Sequence, residues 1–165
     1  MNIHILSIAG SMTANLAVSL KKLGNTVTGS DQEKIFPPVS TTLKKANISI
    51  NSTTIDKNID LAIIGSSYNS FDKTKSEFEQ IKQLKIPYVS ATEYLAQNLV
   101  KQNSIVVAGS FGKTTITSLV SWIFSQSGKK PSFMFGGNPK NKFDSFKFSN
   151  SDWSIIEGDE SVHGL

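Results

Sequence analysis

The sequence predicts an α/β protein: a Rossmann-like parallel-sheet N-terminal domain followed by the first part of a P-loop ATPase domain. Three observations predict it. Short apolar runs alternate with segments whose apolar residues recur at helical spacing. The chain opens as a βαβ unit, with a strand over residues 2–8, a helix carrying Leu16, Leu20 and Leu23, and a second strand over residues 26–28. A second strand-to-helix turn, Ile105-Val106-Val107-Ala108-Gly109-Ser110-Phe111-Gly112-Lys113-Thr114-Thr115, has the composition of a phosphate-holding loop.

The elements follow in order. Gly10 and Ser11 end the first strand, and Gly24 stops the first helix. The second strand closes at Gly29-Ser30-Asp31, where a dinucleotide-binding fold carries a ribose-binding carboxylate. Asp31 either makes such a contact or caps its own turn. The glycine fingerprint for NAD is broken, because only Gly10 stands where three glycines are needed. After Pro37-Pro38 come a short helix from Ser40 and a third strand over residues 48–50. Residues 60–65 form an apolar run suited to a strand buried on both faces, and the hydroxyl-rich Ser66-Ser67-Tyr68-Asn69-Ser70 follows at its carboxyl end, the ligand-binding edge of an open α/β sheet. A helix over 73–84, a strand over 87–89 and a helix capped by Ser90 and Glu93 complete the first domain, residues 1–102.

The second domain spans residues 103–165. Glycines at 109 and 112 allow the backbone to curl with its N–H groups inward, and those donors with the positive end of the next helix favour polyphosphate. The usual motif has four residues between its first glycine and the Gly-Lys pair; here Gly109 serves as the first glycine of a shortened loop. Lys113 would reach the β- and γ-phosphates, and the Thr114 hydroxyl would ligate magnesium. Ile116, Leu119, Val120, Ile123 and Phe124 form one helical face expected in the core, with Trp122 at its margin. A strand over 132–135 leads to Gly136-Gly137-Asn138-Pro139, and Phe143, Phe146 and Phe148 are expected to fill core. A last strand delivers Glu157-Gly158-Asp159-Glu160 to the same sheet edge as the phosphate loop, where Glu157 would hold the cation of a bound nucleotide.

Composition narrows the function classes. Cysteine is absent, so disulfides, cysteine-ligated zinc and thiol nucleophiles are excluded. Net charge is +4 and every basic residue is lysine, with no basic stripe interleaved with aromatics, so no nucleic-acid partner is expected. The N-terminal stretch has neither a charged leader region nor an apolar run of membrane-spanning length, and a soluble, cytoplasmic protein without a membrane partner is expected.

These residues resemble the Mur ligase family of ATP-dependent peptidoglycan enzymes. The resemblance is carried by the loop from Gly109 to Thr115, the acidic stretch from Glu157 to Glu160, Ile3-His4-Ile5-Leu6 with Gly10, Phe36-Pro37-Pro38-Val39-Ser40-Thr41, and Gly136-Gly137-Asn138-Pro139. It implies a UDP-sugar site at Gly10, Ser11, Met12, Asp31, Ser66 and Ser67. It also implies an ATP site at Gly109, Ser110, Phe111, Gly112, Lys113, Thr114 and Thr115, with Lys113 catalytic and Mg2+ held by Thr114 and Glu157. The implied substrates are UDP-N-acetylmuramate and a recycled murein tripeptide, L-alanyl-γ-D-glutamyl-meso-diaminopimelate. The double-proline segment favours the tripeptide over free L-alanine, the alternative within the family. A binding module without turnover is the alternative outside it. Family members commonly have Thr and His at Ser110 and Phe111, and often Asp at Val162. The resemblance implies further domains after residue 165, so this chain alone is expected not to ligate.

Overall fold

The structure, a computed structural model, describes residues 1–51, 54–137 and 143–158. It divides into two compact units, Met1–Tyr94 and Leu95–Leu165. The division falls inside a helix, several residues before the boundary expected at residue 102.

The first unit is built on a five-stranded sheet. Its strands are β1 (Asn2–Leu6), β2 (Thr26–Ser30), β3 (Ser49–Ile50), β4 (Leu61–Ile64) and β5 (Tyr88–Ser90), in the order β3-β2-β1-β4-β5, and all pairs are parallel. Parallel pairing requires crossovers, which are supplied by α1 (Ser11–Lys22), α2 (Val39–Lys45) and α3 (Asp72–Gln83). The central strands are short apolar runs because both faces are covered: Ile3, Ile5, Leu6, Ala62, Ile63 and Ile64 are all buried. On one face, Leu6, Ala62 and Ile64 join Ile55, Ile59, Ile81 and Ile86 in a single cluster. The helix α4 (Ala91–Asn98) begins as expected, with the Glu93 N–H donating to Ser90 Oγ at 3.1 Å.

The second unit has β6 (Asn103–Val107), α5 (Lys113–Gln126), β7 (Ser132–Met134), β8 (Phe146–Lys147) and β9 (Trp153–Glu157), with strand order β6-β9-β7-β8. The first three of these neighbours pair in parallel, but β8 runs antiparallel to β7. Sequence reasoning treats the aromatic segment as core without making it a strand, because two residues are too short to show a period. Its core role holds: Phe146 is buried, and Phe143 stacks on Phe133 with ring centroids 4.9 Å apart.

The expected core face of α5 needs correction. Ile116, Leu119 and Ile123 are about half exposed, as is Trp122. The side against the sheet is instead Thr117 and Ser121, both fully buried, with Val120 and Phe124 packed on Phe133, Phe135 and Ile155. Periodicity identifies residues that share a helix face, but it does not say how much of a broad stripe a four-stranded sheet covers.

A buried imidazole interrupts the apolar run of β1. His4 is fully buried on β1, its ring nitrogens 2.8 Å from Thr28 Oγ1 and 3.3 Å from Ser30 Oγ. Burial, with the charge of Lys73 second, lowers its pKa from 6.5 to about 4. The folded imidazole therefore stays neutral where the unfolded one takes up a proton. The stability that His4 contributes is fully present above pH 6.5 and is lost as pH drops towards 4. Burial raises the pKa of Glu77, which works in the opposite sense above its ordinary value. Urea unfolding of the wild type between pH 7 and pH 4 should show a loss that His4→Gln lacks, worth up to about 3 kcal/mol. Equal pH dependence in the two proteins would contradict the assignment.

Candidate functional site

In each unit the parallel strands end at one edge, and the sequence-predicted residues gather there. In the first unit, Gly10, Ser11 and Met12 form the end of the β1–α1 turn and the start of α1, Asp31 follows β2, and Ser66 and Ser67 follow β4. Gly10, Ser11, Ser66 and Ser67 are exposed, whereas Asp31 is buried.

Asp31 is engaged with its own backbone surroundings. Its Oδ2 accepts from the Ala9 N–H at 2.7 Å and its Oδ1 from the Gln32 N–H at 2.8 Å. It thereby ties the β1–α1 turn to the end of β2. Two residues that sequence reasoning missed complete the arrangement. The Thr13 hydroxyl donates to the Ser7 carbonyl at 2.8 Å, and Asn51 accepts from the Asp31 N–H at 2.9 Å while donating to the Gln32 carbonyl at 3.1 Å. Asn51 has a φ of 56°, a left-handed conformation that asparagine tolerates better than most residues, and an asparagine closing a strand is the one signal that could have found it.

In the second unit, the loop between β6 and α5 has Gly109 at φ 144° and Gly112 at φ 76°, conformations that a residue with a β-carbon adopts only at a cost. Gly112 is the N-cap of α5, so the helix starts immediately at Lys113 and its positive end faces the loop. The Lys113 side chain reaches back across the turn, its Nζ donating to the Gly109 carbonyl at 2.8 Å. Ser110, Phe111 and Thr115 are exposed, Phe111 at 94%.

The register of β6 against β9 then does the decisive thing. Val107 is opposite Glu157, and the Gly158 N–H donates to the Val107 carbonyl at 2.9 Å. This sets the Glu157 carboxylate against the first turn of α5, where Oε1 accepts from the Thr114 hydroxyl at 2.6 Å. Oε2 accepts from the Gly136 N–H, also at 2.6 Å. Asp159 and Glu160 of the acidic stretch, Asn138 and Pro139 of the Gly-Gly segment, and Val162 lie outside the described residues.

The donor set suits a hard divalent cation. Among the described residues no group of three or more His, Cys, Asp or Glu side chains could hold a metal. Thr114 and Glu157 offer one hydroxyl and one carboxylate, a pair that matches magnesium shared with phosphate oxygens and water better than a cage made wholly of protein. Among the described residues no helix is long and apolar enough to cross a membrane.

Residues 2–102 match the family model described as "Mur ligase family, catalytic domain". The chain is 36% identical over 165 residues to the UDP-N-acetylmuramate–L-alanyl-gamma-D-glutamyl-meso-2,6-diaminoheptandioate ligase of Escherichia coli, covering 97% of this chain and 35% of that protein. It is 35% identical over 159 residues to the UDP-N-acetylmuramate–L-alanine ligase of Pelagibacter ubique, covering 96% of this chain and 34% of that one. Among solved structures, it is similar to the UDP-N-acetylmuramate:L-alanyl-gamma-D-glutamyl-meso-diaminopimelate ligase from Neisseria meningitides, with a TM-score of 0.76, 30% identity and coverage of 96% of this chain and 52% of that one. The chain thus spans about a third of the length of these curated relatives.

The Asp31 contacts generate one expectation. Asp31→Ala leaves the Ala9 and Gln32 N–H groups without their acceptor and should cost about 2 kcal/mol in chemical denaturation. A change within experimental error would remove Asp31 from this turn-holding role. This chain belongs to the Mur ligase family.

Proposed function

We propose that this Mur ligase family chain is the N-terminal part of an ATP-dependent amide ligase of peptidoglycan recycling. It would join UDP-N-acetylmuramate to L-alanyl-γ-D-glutamyl-meso-diaminopimelate. The observation that carries the nucleotide half of the proposal is the contact between Thr114 and Glu157 at the mouth of a glycine-turned loop that also holds Lys113. Homology to ligases that act on UDP-N-acetylmuramate supports the substrate.

Bound MgATP would supply the γ-phosphoryl group that turns the muramate carboxylate into an acyl phosphate, leaving ADP, and the amine of the incoming peptide would attack the acyl carbon, lose a proton and expel inorganic phosphate. The chain's own residues prepare the electrostatics of that transfer. The loop from Gly109 to Gly112 would wrap the phosphates with backbone donors, and the N-terminus of α5 would favour their charge. Lys113, whose Nζ donates to the Gly109 carbonyl, would pair with the β- and γ-phosphates instead, exchanging a neutral acceptor for a charged one. Thr114 and Glu157 would hold the cation, the hydroxyl giving up its hydrogen bond to the carboxylate as both turn their oxygens towards the ion. In the first unit, the exposed backbone and hydroxyls at Gly10, Ser11, Ser66 and Ser67 lie at the sheet edge where the UDP-sugar would bind, and Asp31 holds the turn that presents Gly10 and Ser11.

Ligation with free L-alanine is the second possibility, favoured by the nearly equal identity to the Pelagibacter relative. The Phe36-Pro37-Pro38 segment supports the tripeptide instead. In a ligation assay on the longer protein, the tripeptide should be the better acceptor; preferential use of L-alanine would reverse this choice.

For the chain itself, calorimetry should record binding of both MgATP and UDP-N-acetylmuramate without ligation. Lys113→Ala should weaken MgATP by roughly 10- to 100-fold, the value of a charge-assisted hydrogen bond, and leave UDP-N-acetylmuramate unaffected. Tight binding of NADH together with none of MgATP would sink the proposal.

A further inference from the structure

The turn after β7 sits directly against the Thr114–Glu157 pair. The two carboxylate oxygens of Glu157 have separate partners: Oε1 takes the Thr114 hydroxyl, and Oε2 takes the Gly136 N–H. A β-carbon built on Gly136 would lie 3.4 Å from Glu157 Oε2 and 3.5 Å from Thr114 Oγ1, and one on Gly137 would lie 3.6 Å from Thr114 Cγ2. The backbone of the turn therefore forms one wall of the site, with no side chain of its own between it and the pair. Its donor belongs to the main chain next to a strand that is paired on both sides, by β9 and by β8, so it cannot swing away as a lysine or serine could.

We infer that the Gly136 N–H is a positioning donor that holds Glu157 to one-oxygen coordination and thereby makes the site select Mg2+ over Ca2+. The inference rests on the nucleotide function proposed above. A carboxylate whose Oε2 is tied to a backbone N–H offers only Oε1 towards Thr114. Chelation through both oxygens would require the carboxylate to rotate and break a short, charge-assisted hydrogen bond. Calcium, with its larger and looser shell, commonly takes carboxylates through both oxygens. Magnesium demands a compact octahedron and takes carboxylates through one oxygen, with water and phosphate filling the rest. The turn thus favours the smaller ion through geometry alone. Glycine at 136 brings the backbone this close, but an added methyl would only touch Glu157 and Thr114 at ordinary contact distance, so alanine keeps the donor in place.

The test compares Gly136→Ala, which retains the N–H, with Gly136→Pro, which deletes it. The wild type and both variants are titrated by calorimetry with a non-hydrolysable ATP analogue in the presence of Mg2+ or of Ca2+. Wild type and Gly136→Ala should prefer Mg2+, while Gly136→Pro should lose about 10- to 100-fold in Mg2+-dependent affinity, the usual effect of removing a partner that orients a metal ligand. Its Ca2+-dependent affinity should remain. A folded Gly136→Pro that keeps the wild-type preference overturns the inference and leaves nucleotide binding standing. Absence of nucleotide binding by the wild type with either ion overturns both. Should Gly136→Pro unfold, the amide proton resonance of Gly136 decides: it should move upfield in Glu157→Gln, where the acceptor loses its charge, and an unmoved resonance overturns the inference.

Discussion

The second unit depends on one strand pairing. Because β6 and β9 run parallel and in a register that sets Val107 against Glu157, both strands finish at the same edge. The chain leaving β6 becomes the glycine turn and α5, and the chain leaving β9 begins with the carboxylate. The bond from Gly158 N–H to the Val107 carbonyl carries the pairing one residue past the strand. A slip of one residue would turn Glu157 to the other face of the sheet and separate it from Thr114. The register is held by the burial of Ser154, Ile155 and Ile156 on β9, with Phe133 beside them on β7, so apolar packing decides where a polar pair meets.

A similar dependence operates in the first unit, but the adhesive there is polar. The β1–α1 turn bends back over the sheet, with Ser7 in the left-handed region at φ 56°. The Thr13 hydroxyl on the Ser7 carbonyl and the Asp31 carboxylate on the Ala9 N–H hold it in that shape. Charged acceptors make stronger hydrogen bonds than neutral ones, and a buried N–H without a partner is costly. Asp31 thus serves the site by shaping the turn that carries Gly10 and Ser11. The carboxylate that dinucleotide-binding folds direct at a ribose is here committed to its own protein. His4 and Glu77 add a second polar layer deeper in the same unit, with Ser30 between them.

Much of this architecture was legible in the amino-acid order. Apolar runs such as residues 60–65 read as buried strands because a parallel sheet covered on both faces tolerates little else, and Leu61–Ile64 is such a strand. The helix starts were legible where a side chain announces them, as Ser90 and Glu93 do, or where a glycine permits the turn, as at Gly112. Less legible were the elements whose signal is shorter than one period, such as β8, and the degree to which α5 is covered, since burial depends on the neighbour and not on the helix.

What the sequence determined by itself was most of the strands and helices, the family, and the residue types of the glycine turn with Lys113 and Thr114, because each of these is encoded within a few consecutive residues. Tertiary structure alone decided that Glu157 meets Thr114 through one oxygen and Gly136 through the other, and that Asp31 meets Ala9. Those contacts join residues 43, 21 and 22 positions apart. No local pattern encodes such distances; they are set by strand order and register, which the chain acquires only when its apolar faces are buried together.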